Sequence, residues 1–329
     1  MVSVISTNGQ IPGPAPVRAR LDIAEEMTRL TLFIVAKALF NADVSGDAPR
    51  VAAAMETIQK VMGEAWFLPS WVPDPRQWRA NRAKRDLDEI VYRMIAEWRA
   101  TGEDRGDLLS MLLLAEDEDG HRMTDRQARD ELVTLMLAGH ETTANTLNWT
   151  WMLLAQHPEV EARLHAELDA VLGGRPPGLE DLPNLTYTEM VVKEAMRLYP
   201  AAWAISREAI EDVPLRNGTL PRGSVAGVMI YFTHRDPRWW PDPECFDPER
   251  FGEERATAIP RYAYLPFGGG PRVCIGNGFA MMEARLLLAT IASRYRLEQV
   301  PGHTVKPAPL ITLNPKGGMP MIVRRRSAI

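Results

Sequence analysis

Cysteine is nearly absent: Cys245 and Cys274 are the only two in 329 residues. Two cysteines exclude a disulfide-knit secreted scaffold and point to a reducing compartment. An excess of basic charge is missing as well. The 38 Lys and Arg stand against 43 Asp and Glu, for a net charge of −5, whereas a nucleic-acid-binding chain carries a basic excess or stripe. No apolar run reaches the roughly 20 residues that span a bilayer. The longest uncharged stretch, Thr142–Pro158, has 17 residues and is broken by threonine, asparagine and glutamine. A basic start followed by an apolar run, the mark of a secretory signal, does not occur in the first twenty residues. These absences together lead us to expect a soluble, cytoplasmic protein with no membrane and no nucleic-acid partner. The composition, 46% apolar and 25% charged, is that of a globular chain and excludes global disorder. The length suits one large domain or two.

Proline divides the sequence. None of the 26 prolines falls between Arg76 and His157, and a proline-free stretch is what helices need, since an interior proline costs about 3 kcal/mol. Residues 1–20, with Ile11–Pro16 in them, read as an irregular arm. Apolar spacing predicts helices over Leu21–Phe40, Arg76–Gly102, Arg126–Gln156 (capped by Thr124-Asp125), Pro158–Leu172 and Glu189–Leu198. From Ser206 to Phe232 the pattern turns short and β-like, with turn signals at Asn217-Gly218 and Pro221-Arg222-Gly223. Thr233–Pro271 lacks periodicity, and an irregular stretch of that length is usually functional. A last helix, Gly278–Arg294, precedes turn-separated short strands. The fold class expected is mainly α with a small β region.

That irregular stretch leads into Phe267-Gly-Gly-Gly-Pro-Arg-Val-Cys274-Ile-Gly276. Its glycines allow backbone angles closed to other residues and let a bulky group approach the main chain. N–H groups at the start of the following helix carry positive partial charge and favour thiolate over thiol at Cys274. A thiolate so held binds a soft or borderline metal, haem iron included, and Arg272 offers a fixed cation for an anionic group. Zinc is disfavoured, because no second Cys or His lies at ligand spacing. A buried structural cysteine, or a nucleophile with a distant histidine base, are the other readings of these residues.

Phe267, Gly270, Arg272, Cys274 and Gly276 match Phe-x-x-Gly-x-Arg-x-Cys-x-Gly, and the chain resembles the cytochrome P450 haem-thiolate monooxygenases. The resemblance implies that Cys274 is the iron ligand of haem b (iron protoporphyrin IX), with Phe267, Gly268 and Gly276 shaping its loop and Arg272 pairing with a propionate. Arg207 stands at the family's other propionate-binding position and otherwise reads as a strand-edge arginine. Glu194 and Arg197, three apart on one helix face, resemble the family's Glu-x-x-Arg pair. Arg250 in Pro248-Glu-Arg-Phe251 would complete a buried Glu–Arg–Arg network, and the neighbouring His234-Arg-Asp-Pro237 run also fits the family. Ala138-Gly-His-Glu-Thr-Thr143, in the middle of the longest helix, is similar to the oxygen-activation motif. Glu141 and Thr142 are then the proton-delivering pair, and Gly139 leaves room beside the helix. Read without the family, Glu141 is a solvated carboxylate and the threonines are packing residues.

By the same resemblance, Leu135–Thr142, Ala201–Ile205 and Leu310–Leu313 line the site of an apolar small-molecule substrate. Electrons come from a separate ferredoxin or flavodoxin-type donor, since no flavin or nicotinamide fingerprint is present. Residues 21–329 form a single haem domain without counterparts of the family's first strands and early helices, an N-terminally truncated cytochrome P450 fold. Trp66, Trp71 and Trp78 do not replace the missing haem contacts and read as core or interface anchors. Arg324–Arg326 reads as a solvated tail and Cys245 as a bystander. Two alternatives remain at this point: a non-catalytic remnant, and a haem-binding sensor or sequestration protein.

Overall fold

Helices occupy the proline-free part of the chain. The structure, a computed structural model, describes residues 18–40, 50, 51, 53, 54, 57, 58, 61 and 75–326. Ile11–Pro16, Trp66 and Trp71 lie outside the described residues. The remainder divides into two units, one holding the described residues of 22–145 with 316–319, the other 18–21, 146–315 and 320–326.

In the first unit, α1 (Ile23–Phe40), α2 (Pro75–Thr101) and α3 (Leu108–Leu114) are joined by the first two thirds of α4 (Asp125–Gln156). The carboxylate of Asp22 starts α1 by accepting from the Ala24 and Met319 amides at 3.0 and 2.9 Å. The short helix α3 has no counterpart among the expected elements. Asp107 caps it by accepting from the Ser110 amide at 2.7 Å, and the Trp98 indole of α2 donates to Ser110 Oγ at 2.9 Å. Thr124 closes a reciprocal cap with Gln127 at the head of α4, as the sequence suggests. Trp78 is 73% exposed, so of the two readings, core or interface anchor, the core one does not hold.

The second unit carries the rest of α4, then α5 (Pro158–Leu172), α6 (Thr186–Leu198) and α9 (Asn277–Ala292), with two short helical turns, α7 (Ile230–Thr233) and α8 (Glu253–Ala256), between them. Gly173 ends α5 in the left-handed region, at φ 55°, a conformation that costs glycine least. The β-like run resolves into β2 (Ile205–Glu208) paired antiparallel with β5 (Val225–Val228), and into the hairpin β3 (Val213–Leu215) and β4 (Gly218–Leu220). Its last residues, expected as strand, form α7 instead. A three-stranded sheet of order β1 (Arg18–Asp22), β9 (Pro320–Arg325), β6 (Tyr295–Gln299) closes the chain, with the small hairpin β7 (Pro307–Pro309) and β8 (Leu313–Pro315) before β9.

The Arg324–Arg326 run is not a solvated tail. Arg324 pairs with Glu298 across the sheet at 2.7 Å, and Arg326 donates to the Ala292 and Ser293 carbonyls at the end of α9 and to Asp169 at 2.7 Å. Three arginines in a row look like a tail only when their partners, 26 to 157 residues away, are out of sight. Among the described residues no helix is long and apolar enough to cross a membrane.

Candidate functional site

The cysteine loop is built from short backbone bonds. Gly268 and Gly270 sit in the left-handed region, at φ 72° and 70°, where a side chain would be strained. The Gly268 amide donates to the Leu265 carbonyl and the Cys274 amide to the Phe267 carbonyl, both at 3.0 Å. Cys274 thus stands three residues before the first residue of α9. Its side chain is exposed, which argues against a buried structural cysteine. Val273 and Ile275 beside it are 48% and 93% exposed. A thiol between two uncovered aliphatic side chains fits a large apolar ligand bound through sulfur. Arg272 in the same loop and Arg207 on β2 are exposed cations suited to the carboxylates of such a ligand. Cys245, also exposed, lies in a loop with none of these surroundings.

The segment that precedes the loop is fastened to a saturated ion network. Glu194 and Arg197 are fully buried, and Arg250 is almost so. Arg197 places all five of its N–H groups: two on the Glu194 carboxylate at 2.7 Å, and three on the carbonyls of His234, Pro243 and Cys245 at 2.9, 2.7 and 3.0 Å. Glu194 Oε1 also accepts from the Asp247 amide at 3.0 Å and from Arg250 Nε at 3.3 Å. Arg250 in turn donates to the carbonyl of Asp242 at 2.8 Å, and Asp242 is the one non-glycine described with positive φ, at 47°. Buried charges need this degree of pairing, because an unpaired ion in the interior costs several kcal/mol. The three residues named from sequence therefore meet, and they pin the irregular segment that leads to the cysteine loop.

In the first unit, the middle of α4 is regular helix, but its carbonyls carry extra partners. Thr142 Oγ1 donates to the Ala138 carbonyl at 2.7 Å, Thr143 Oγ1 to that of Gly139 at 3.2 Å, and Thr31 Oγ1 of α1 to that of His140 at 2.8 Å. His140 and Glu141 are buried, whereas Leu135, Ala138 and Thr142, spaced along one face, remain partly uncovered. Gly139 has a packing reason of its own: a Cβ there would lie 3.1 Å from Val35 Cγ2, so the missing side chain lets α1 approach α4.

Two of the expected substrate-lining segments meet within the second unit. The Leu313 amide donates to the Ala201 carbonyl and the Trp203 indole to the Leu310 carbonyl, both at 2.9 Å. Trp149 of α4 donates to the Leu313 carbonyl at 2.8 Å and stacks on Tyr199 at 4.4 Å. Neither tryptophan stands out in the sequence, since each acts through a carbonyl more than a hundred residues away.

An exposed cysteine in a glycine-rich loop, a buried Glu–Arg–Arg network and a mainly helical fold mark out a class: the chain belongs to the cytochrome P450 family, whose model matches residues 6–320. It is 41% identical over 306 residues to cyclooctatin synthase of Streptomyces melanosporofaciens, covering 90% of this chain and 66% of that one. It is 41% identical over 293 residues to cyclooctat-9-en-7-ol 5-monooxygenase of the same organism, covering 87% and 63%. The crystal structure of the cytochrome P450DA heme domain superposes with a TM-score of 0.87 at 29% identity, over 94% of this chain and 69% of that one. The chain thus spans about two thirds of the length of the relatives it matches.

Proposed function

We propose that the protein is a haem-thiolate monooxygenase that inserts one oxygen atom from dioxygen into an apolar organic substrate. The observation that carries this reading is the exposed Cys274, its amide donating to the Phe267 carbonyl just before α9 and its side chain standing between two uncovered aliphatic residues. Cys274 is the ligand of haem b. Arg272 and Arg207 would supply cations for its propionates, and Val273 and Ile275 apolar side chains beside the sulfur. Held by Cys274 as thiolate, haem would supply dioxygen activation, the sulfur lending electron density that favours O–O cleavage.

Within the chain, Thr142 and Glu141 hold and move the protons this chemistry consumes, the threonine through its Oγ1 and the glutamate through its carboxyl group. Gly268 and Gly276 keep the loop backbone close and unencumbered, Phe267 shapes it through the carbonyl that takes the Cys274 amide, and Gly139 lets α1 pack close to α4. Leu135–Thr142 in the first unit, and Ala201–Ile205 with Leu310–Leu313 in the second, each offer apolar side chains to such a substrate. Cyclooctat-9-en-7-ol, after which the 5-monooxygenase among its relatives is named, is an unsaturated alcohol and suits such side chains. The electron donor is a separate ferredoxin or flavodoxin-type protein in the cytoplasm.

The carbon-monoxide difference spectrum of the reduced protein tests this reading. A Soret maximum at the thiolate position is the expected result, and no haem signal would overturn it. Thr142→Ala is expected to keep that spectrum while oxygen consumption outruns product. Coupling unchanged from the parent would remove the proton role of Thr142.

A further inference from the structure

We propose that His234 is a positioning residue for the thiolate, tying α6 to the turn that carries the Cys274 loop. The inference rests on the haem-thiolate reading for its chemistry, but its geometry stands without it. His234 is fully buried. Its Nε2 lies 2.7 Å from the Leu265 amide nitrogen, and its Nδ1 lies 3.2 Å from the Arg197 carbonyl. An amide only donates and a carbonyl only accepts, so these partners assign the tautomer: Nδ1 carries the proton and Nε2 accepts. The imidazole therefore joins the last turn of α6, at Arg197, to Leu265.

From Leu265 the connection continues in two steps. Its carbonyl accepts from Gly268 to close the turn, and Phe267 inside that turn accepts from the Cys274 amide. The preceding residue makes a parallel tie, since Tyr264 stacks on the imidazole at 5.2 Å and its hydroxyl donates to the Lys193 carbonyl at 2.9 Å. His234 is itself held at the main chain, because its carbonyl takes one of the Arg197 donors. A buried ion network that saturates Arg197 is rigid. Through one neutral imidazole that rigidity reaches a loop whose own bonds are few. A histidine serving only to fill space would not need an acceptor aimed at an amide two residues before Phe267.

The test compares the parent protein with His234→Phe, which keeps the ring on Tyr264 without either hydrogen bond, and with His234→Gln, whose side-chain oxygen reaches the Leu265 amide. Hydrogen exchange read by mass spectrometry is expected to be about tenfold faster over residues 264–274 in His234→Phe, the scale set by the net worth of one hydrogen bond. Exchange over 295–299 should be unchanged, and His234→Gln should restore the parent rate. With haem bound, the thiolate fraction of the reduced carbon-monoxide complex should fall several-fold in His234→Phe and recover in His234→Gln. Unchanged exchange in His234→Phe, equal acceleration over 295–299, or a Gln variant no better than Phe would overturn the proposal. Ring-nitrogen NMR of the parent protein gives a check free of variants: an Nε2-protonated His234 would also overturn it. A parent protein without a thiolate spectrum would sink the haem-thiolate reading, while the exchange data would still decide the tie.

Discussion

At the scale of the residue, Arg197 is the side chain whose chemistry is hardest to replace. Lysine offers three donors from a single point, and cannot form the forked pair to Glu194 while also meeting three carbonyls. Arg197→Lys is therefore expected to lower stability by about 3–5 kcal/mol, the cost of breaking a buried pair, read as a shift of the urea midpoint. A loss under about 1 kcal/mol, the range of a surface pair, would mean that the network is not the fastening described. How far single residues were legible from sequence depended on where their partners sit. Cys274 and Arg272 announce themselves because the chemistry lies within ten consecutive residues. His234 stood inside a noted run, but its acceptor role depends on an amide 31 residues on.

At the scale of the element, helix ends marked by proline or glycine were readable, and those marked by distant side chains were not. Pro158 and Gly173 bound α5 as expected. The start of α6 falls three residues before the expected Glu189, because Glu167 of α5 accepts from the Tyr187 and Thr188 amides at 2.6 and 2.8 Å and takes the Thr188 hydroxyl at 2.6 Å. A carboxylate reaching in from another helix does the work of a cap and complements the helix dipole. Glu167→Ala should cost about 1–2 kcal/mol, at the upper part of the range for a lost cap. Exchange should quicken first in the opening turn of α6, and uniform exchange along that helix would contradict the assignment. Gly139 shows the opposite case. Its place in a recognisable motif suggested space for a ligand, whereas its immediate neighbour is Val35 of α1.

At the scale of the whole molecule, buried histidines make stability depend on pH. Burial holds His234 and His165 down to about 4, with the nearby charges of Arg197 and Arg235 adding to it for His234 and those of Arg326 and Arg296 for His165. It lowers His140 as well. Each group takes up its proton more readily in the unfolded chain, near 6.5. Their contribution is complete above pH 6.5 and is lost as the pH falls toward 4. For the fully buried His234 the loss is on the order of 3 kcal/mol across that window. Urea midpoints taken between pH 7 and 4.5 should fall steadily, and His234→Phe should flatten the slope. An identical slope in that variant would show that His234 takes up its proton alike in the folded and the unfolded chain.

The mainly helical architecture and the family were legible from helix spacing and one ten-residue string. The fastening of that string to the interior was not, being written in carbonyls and amides that every residue shares. The saturation of Arg197 has a consequence for how such a sequence drifts. With no donor to spare, the arginine cannot tolerate an intermediate in which one of its acceptors has turned away. The main chain at His234, Pro243 and Cys245 is therefore bound to keep its path even while the side chains of Pro243 and Cys245 are free to vary, so that descendants should diverge in letters along this segment long before they diverge in shape.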